Sequence, residues 1–389
     1  MFRKQILFLL PTILLSCLPT VAGDRPTLTE GNTEKYQVMV LGDVHYDAPE
    51  YHKVPPIHRG RAKERKRNFS MWEGLSRKLL EAAKKQTGPD TAFAIQLGDI
   101  GQGDCDTPEL HENMLKKAFE TVRNYFPSHR FLVIKGNHDV RELRIANDPG
   151  PVKKALLPLV AAELGVAELA DGNYAFRRGK DLYIAVDGFI NSTIMEPTPL
   201  TLNRYLAQKG IVGFVKKTLE ANPETRYVFL LSHLPVMPVG VRNPFWVLPD
   251  YQEIIDMLEK RHAVILAAHT HMFSLVTRKT AFGQISQLIT TSMGCQWTPG
   301  HEIKVTMNLD QFRDAVKKHH DAVKKHHTAA QEIPVKLNAM LDKAEFNIRV
   351  FEQKAGFTVL DIDDSRVEAR IYTDDSGIPA LTEVLTENK

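Results

Sequence analysis

Residues 131–139 read Phe-Leu-Val-Ile-Lys-Gly-Asn-His-Asp. An apolar run of strand length stops at a glycine, and three polar side chains follow at once. Short, near-continuous apolar runs of this kind fit strands buried on both faces. The polar residues then fall in the turn at the strand's C-terminal end. The same layout recurs along the chain. Tyr36–Leu41 leads into Gly42–Asp43 and His45, and Thr91–Leu97 leads into Gly98–Asp99. Leu182–Val186 leads into Asp187, Tyr227–Leu231 into Ser232–His233, and Ala263–Ala267 into Ala268–His269–Thr270–His271.

Helical periodicity fills the gaps between these runs. Within Met71–Lys85 apolar residues recur at Leu75, Leu79, Leu80 and Ala83, with Ser70 as the expected N-cap. Leu110–Tyr125, Val152–Leu164, Leu202–Leu219 and Tyr251–Lys260 read the same way. Alternation of strand and helix predicts the α/β class. Open α/β sheets gather their sites at the C-terminal ends of the strands, where the loops converge. Every polar cluster above lies at such an end, and Asp187 reads there as a turn former.

Segment 305–350 breaks the rhythm. It is charged, nearly free of glycine, and reads as one or two amphipathic helices inserted before a last hairpin, Phe357–Ile362 and Val367–Tyr372. Asp314–His320 and Asp321–His327 are one seven-residue sequence written twice. His319 and His326 share a helix face but stand about 10 Å apart, too far to hold one ion. Phe312, Val316, His319 and Val323 form a stripe. The arm is thus expected to pack or to meet a protein partner rather than bind metal.

Composition sets outer bounds. Apolar residues make up 43% of the 389 and charged residues 25%, an ordinary globular balance that excludes a disordered chain. A net charge of +3 selects no partner. The stretch 58–67 holds six Arg and Lys against one acid, Glu64, and is expected as a solvated loop following Asp43–His45. No aromatic residues interleave it, so nucleic acid is not expected. Arg3 and Lys4 precede an apolar run, Ile6–Leu18, with Ala22 and Gly23 beyond it. That is the layout of a signal peptide over 1–23, leaving one domain over 34–389 and a periplasmic or extracellular location. Cys17 follows Leu14–Leu15–Ser16, which resembles a lipoprotein box and leaves lipid anchoring open. No later run is long enough to span a membrane. Cys105 and Cys295 either pair or remain free thiols.

The polar clusters share a chemistry. Asp43 and His45 stand two residues apart at a strand end, where alternation points both the same way. Asp99 offers two oxygens, enough to bridge two ions about 3.5–4 Å apart. Asn137 offers a neutral oxygen, and His233, His269 and His271 complete an oxygen and nitrogen set. No cysteine joins it, so Mn, Fe, Zn or Ni suits it better than a soft-metal or structural zinc site.

In this order the clusters resemble the calcineurin-like metallophosphoesterase superfamily, whose pattern runs D-x-H, G-D, G-N-H-D/E, H and G-H-x-H. The match spans Asp43 to His271, and Gly136–Asn137–His138–Asp139 is its sharpest piece. The resemblance implies two packed β-sheets flanked by helices, a four-layer α/β/β/α fold. It implies two divalent ions, one on Asp43, His45 and His271 and the other on Asn137, His233 and His269. Asp99 would bridge them, together with a water or hydroxide that attacks phosphorus in a phosphomonoester or phosphodiester. His138 would protonate the leaving oxygen, and Asp139 would orient its ring. Two departures stand out. Ala268 replaces the family's glycine, which excludes a backbone needing positive φ there. Gly101–Gln102–Gly103 stands where purple acid phosphatases carry a tyrosine ligand, so the purple subtype is not expected. The competing reading of the same fold is a binding module that holds phosphate through metal without hydrolysing it.

Overall fold

A computed structural model describes residues 28, 33–54, 59–141, 148–188, 209–237, 251–294, 303–308, 346–352 and 355–388, with Asp310, Gln311, Asp314 and Lys318. Residues 1–23 with Cys17, and Cys295, Trp246, Trp297, His301 and nearly all of the repeat, lie outside the described residues.

Two mixed sheets face each other. In the first, β1 (Tyr36–Leu41), β2 (Thr91–Gln96) and β3 (Arg130–Val133) run parallel. β12 (Phe357–Ile362), β13 (Arg366–Tyr372) and β14 (Leu381–Glu387) extend it antiparallel beyond β1, in the order β14-β13-β12-β1-β2-β3. The second sheet has eight strands among the described residues, two of them β10 (Ile303–Asn308) and β11 (Phe346–Glu352) at one edge, and β11 is followed across the sheet by the six strands described next. Its parallel heart is β5 (Asp181–Val186), β6 (Val228–Ser232), β7 (Ala263–Ala267) and β9 (Gly283–Ile289). β4 (Tyr174–Arg178) lies antiparallel beside β5, and β8 (Phe273–Thr280) beside β9. The apolar strands named from the sequence are these parallel ones, and β2, β5, β6 and β7 are buried at every position.

Aromatic rings fill the space between the sheets. Phe93 of β2 meets Phe176 of β4 and Tyr183 of β5 edge-on at 5.4 and 5.2 Å. Tyr183 stacks in turn on Phe229 of β6. Burial of such rings contributes about 1.5–3 kcal/mol each. Helices cover the outer faces, completing the four layers. They are α1 (Arg59–Met71), α2 (Arg77–Lys85), α3 (Pro108–Arg123), α4 (Leu157–Leu164), α5 (Lys209–Glu220) and α6 (Tyr251–Leu258). Thr107 caps α3 by accepting from the Leu110 amide, and Pro108 occupies the first turn, where its missing N–H costs nothing.

Three expectations change. The basic stretch 58–67 is not a loop: it winds into α1, which continues through a wide π-turn at Trp72–Ser76 into α2. Ser70 therefore lies inside a helix and caps nothing; Ser76 bonds the carbonyls of Met71 and Met293 instead. Segment 305–350 is not helical throughout. Its ends belong to β10 (Ile303–Asn308) and β11 (Phe346–Glu352), which pair with each other and dock on β8. Unpaired β8 would leave an open sheet edge, and β11 satisfies its backbone groups. Asp310, Gln311, Asp314 and Lys318 between them are helical and exposed. β14, a further strand past the expected last hairpin, packs against β9 through Ser286 Oγ, which donates to the carbonyl of Leu385.

Candidate metal centre

The strand-end loops are sewn together by their own backbone. The His45 amide donates to the Asp99 carbonyl at 2.9 Å and the Tyr46 amide to that of Ile100 at 2.8 Å. The Gly294 amide donates to the carbonyl of Asp43, and that of Ala268 to His233. Aiming the side chains inward forces the backbone into the left-handed region. Asp43, His45, Asp99, Asp104, His269 and His271 all have φ between 45° and 68°. Each costs of order 1–3 kcal/mol in a non-glycine residue, strain that accumulates where function requires it. The loops do not continue as strands, so Asp43 and His45 converge through these turns and not through the alternation expected from their spacing. The chain also uses glycine for clearance: a Cβ on Gly98 would overlap the His233 ring, and one on Gly136 the Asp99 carboxylate.

Two sets of donor atoms result. Asp43, His45, Asp99 and His271 bring one ligand atom each within 4.8 Å of one another, and Asp99, His233 and His269 form a second set on the same criterion. Asp99 belongs to both. Its Oδ1 accepts from the His138 amide at 2.7 Å, and its Oδ2 lies 3.3 Å from His233 Nε2 and 3.8 Å from His45 Nε2. Asn137 Oδ1 approaches His233 Nε2 at 3.1 Å, placing it with the second set. All seven residues are buried.

The donors fit a cation. Asp43 Oδ2 is buried without a hydrogen-bond partner. His45 Nε2 faces His271 Nε2 at 3.1 Å, and His269 Nδ1 faces His233 Nε2 at the same distance. Each opposed pair either shares one ring proton in an N–H···N bond or takes a cation between its nitrogens. His233 Nδ1 donates to the Leu97 carbonyl at 2.8 Å, which fixes the tautomer and presents Nε2 to the cluster. Without metal the protonation states are displaced. Burial pushes the His45, His269 and His271 rings down, His271 to about 3. Burial acts downward on His233 too, but the Asp99 carboxylate outweighs it and raises the ring to about 9. Burial lifts the Asp43 carboxyl above the usual range. Metal-binding residue clusters of this make-up, with oxygen and imidazole nitrogen and no thiolate, suit divalent ions.

The two remaining site residues behave differently. His138 lies edge-on to the His45 ring at 4.4 Å. Its Nδ1 donates to the Gln102 carbonyl at 2.8 Å, so Nε2 is the nitrogen turned outward. Asp139 does not orient this ring. Its carboxylate accepts three backbone amides, from Asp99 at 2.9 Å, Gly101 at 3.0 Å and Gly136 at 2.8 Å. The reason is local: His138–Val140 is a 3-10 turn, in which successive side chains diverge by about 120°. Asp139 therefore staples the two metal loops from beneath, and the Gln102 main chain holds His138.

Sequence reasoning missed the ring's other neighbours. Arg141 Nη1 lies 3.0 Å from His138 Nε2, and its Nη2 donates to Asp104 Oδ2 at 2.8 Å. Glu64 of α1 reaches His138 Nε2 at 3.5 Å and Arg141 Nη1 at 3.2 Å. The available signals were an arginine two residues past the polar cluster and one acid among six bases. Asp187 is not a ligand; it pairs with Lys135 at 2.6 Å, both buried. Cys105 is a buried free thiol against Met114.

The sequence profile of calcineurin-like phosphoesterases matches residues 36–273, more than half of the chain. This protein belongs to the calcineurin-like phosphoesterase family. Two solved structures share its fold. A dimetal phosphatase from Danio rerio superposes with a TM-score of 0.50 at 12% identity, over 91% of this chain and 99% of the other. PhoD gives 0.52 at 10% identity, over 92% of this chain and 69% of the other. No curated protein matches the chain in sequence. Family membership and the donor clusters together make this a metallophosphoesterase-type protein with a metal-binding site, of the phosphoesterase hydrolase class. No helix among the described residues is long and apolar enough to cross a membrane.

Proposed function

We propose that the chain is an exported, dinuclear-metal phosphoesterase acting on a small phosphomonoester or phosphodiester. The observation that carries this reading is the position of Asp99, the one carboxylate common to both donor sets. Asp43, His45 and His271 would hold one ion and Asn137, His233 and His269 the other, with Asp99 between them. When bound, such a pair of divalent ions supplies neutralisation of the ester's negative charge and a water acidified toward neutral pH.

The chain's own residues do the rest. His138 presents Nε2 outward because Nδ1 is committed to Gln102. From there it donates a proton to the departing alkoxide, a role worth roughly 10²–10⁴-fold in rate. Asp139 keeps the loops carrying Asp99 and Asn137 in register. Export rests on the basic and apolar layout of residues 1–23.

The test is hydrolysis of nitrophenyl phosphate and of a bis-nitrophenyl diester by manganese-supplied protein, with metal content measured in parallel. Turnover with about two ions per chain is expected. Two bound ions without turnover on either ester would leave the phosphate-binding module as the better reading.

A further inference from the structure

We propose that Arg141 and the outward edge of His138 form a subsite for the substrate's phosphoryl oxygens, and that Glu64 is a built-in competitor seated in it. The proposal deepens the phosphoesterase reading and rests on it.

Arg141 is fixed like a ligand-binding arginine. Its Nη2 is anchored to the buried carboxylate of Asp104 at 2.8 Å, so Nη1 is aimed at His138 and Glu64. The Glu64 carboxylate divides between the two groups, Oε1 toward His138 Nε2 and Oε2 toward Arg141 Nη1. A phosphoryl group would divide its oxygens in the same way, one toward His138 Nε2 and one toward Arg141 Nη1, since a guanidinium N–H donates to either anion.

Three features mark Glu64 as an occupant rather than a structural partner. Its contacts, 3.5 and 3.2 Å, are longer than the 2.7–2.9 Å typical of charge-assisted bonds. Its side chain is 23% exposed, against 5% for His138 and 3% for Arg141, so it sits at the mouth and can turn outward. Asp104 already pairs Arg141, so withdrawing Glu64 leaves no lone buried charge.

The helix explains how the acid arrives there. Glu64 and Asn68 are one turn apart on one face of α1, and Asn68 Nδ2 donates to Gln102 Oε1 at 2.7 Å. Asn68 thereby docks α1 on the residue whose main chain holds His138, while exposed Lys63 and Lys66 face away. The subsite opens by rotation of one glutamate side chain, with the helix in place. An anion bound there touches His138, whose ring lies against His45 of the metal centre.

The experiment titrates inorganic phosphate into manganese-loaded full-length protein by calorimetry, comparing wild type, Glu64→Gln and Arg141→Lys, with thermal unfolding alongside. Gln keeps the length of Glu and removes its charge, which raises the fraction of open subsites and hence the apparent affinity. Phosphate should bind about three- to tenfold tighter to Glu64→Gln, and roughly tenfold or more weaker to Arg141→Lys, which loses the planar guanidinium that spans Asp104 and the anion. Equal affinity in wild type and Glu64→Gln overturns the proposal, as does a Glu64→Gln protein that only melts earlier. The two readings fail separately. This affinity pattern without ester hydrolysis would keep the subsite and sink the phosphoesterase reading. Hydrolysis with affinities indifferent to both substitutions would do the reverse.

Discussion

The two ends of the parallel strands carry buried charge in opposite ways. At the N-terminal end, Asp181 accepts from the Tyr36 hydroxyl at 2.7 Å and from Arg226 Nε at 2.9 Å and Nη2 at 2.5 Å. Arg226 also reaches the Glu34 carbonyl at 2.7 Å and Asp364 at 2.5 Å, while Arg178 lies over the Tyr36 ring. Hydrogen bonds tie these charges to both sheets, and none of the residues has a left-handed backbone. At the C-terminal end the positive-φ aspartates and histidines crowd together, with nitrogen opposed to nitrogen and an Asp43 oxygen lacking a proton to accept. Buried charges paired with opposite charges hold a fold together; like groups crowded together are retained because something other than folding needs them. The first end is a clasp, the second a site.

The largest effect is expected from Asp99→Asn. It keeps an acceptor for the His138 amide and removes the charge shared by both donor sets. Bound manganese should fall below two ions per chain and ester hydrolysis to background. Two ions retained in this variant would sink the shared-ligand assignment.

Next in size is His138→Ala. Its metal content should match wild type, since the ring belongs to neither donor set. Turnover of alkyl phosphates should drop by about 10²–10⁴ and that of nitrophenyl phosphate by far less, because nitrophenolate leaves without a proton. An equal drop for both substrates would remove the acid role.

The clasp should respond the other way. Arg226→Met leaves Asp181 buried without its cation, a loss of about 3–5 kcal/mol in stability. Urea unfolding would register it, while metal content and turnover per folded molecule stay at wild-type values. A matching fall in turnover would mean that the two ends are coupled and that the clasp is part of the site.

The sequence made one end far more legible than the other. The motif strands stood out because β2, β5, β6 and β7 are buried on both faces and read as unbroken apolar runs. β8 and β9 escaped notice because polar residues interrupt them in the core. Ser274, Ser286 and Gln287 are fully buried there, and Gln287 Oε1 accepts the Val236 and Met237 amides beyond His233. α1 looked like a loop since it has no apolar stripe; its inward face is Glu64 and Asn68, whose partners lie far along the chain. The donor residues were readable as types in order. Their supports were not: a main-chain carbonyl, as at Gln102, leaves no trace in sequence, and adjacency misled for Asp139, whose side chain turns away from its neighbour's. The clasp was invisible for a related reason, as Tyr36, Asp181 and Arg226 meet only across the sheets.

The smallest expected effect separates the two ends by pH. In metal-free protein His233 titrates near 9, against about 6.5 when unfolded. A raised histidine contributes stability that is full below the unfolded value and lost as pH rises through the folded one. The buried Asp43 carboxyl, also raised, adds a loss in the same direction as it ionises. Between pH 6.5 and 9 the metal-free protein should therefore lose stability, by at most about 3 kcal/mol from His233. Manganese takes the place of that proton, so the loaded protein should show a flat profile over the window and release protons on binding near pH 7. Arg226 keeps its charge throughout, so Arg226→Met should lower both profiles without changing either slope. A metal-free profile as flat as the loaded one would show that the crowded nitrogens already have a neutral arrangement, and the contrast between clasp and site would lose its electrostatic basis.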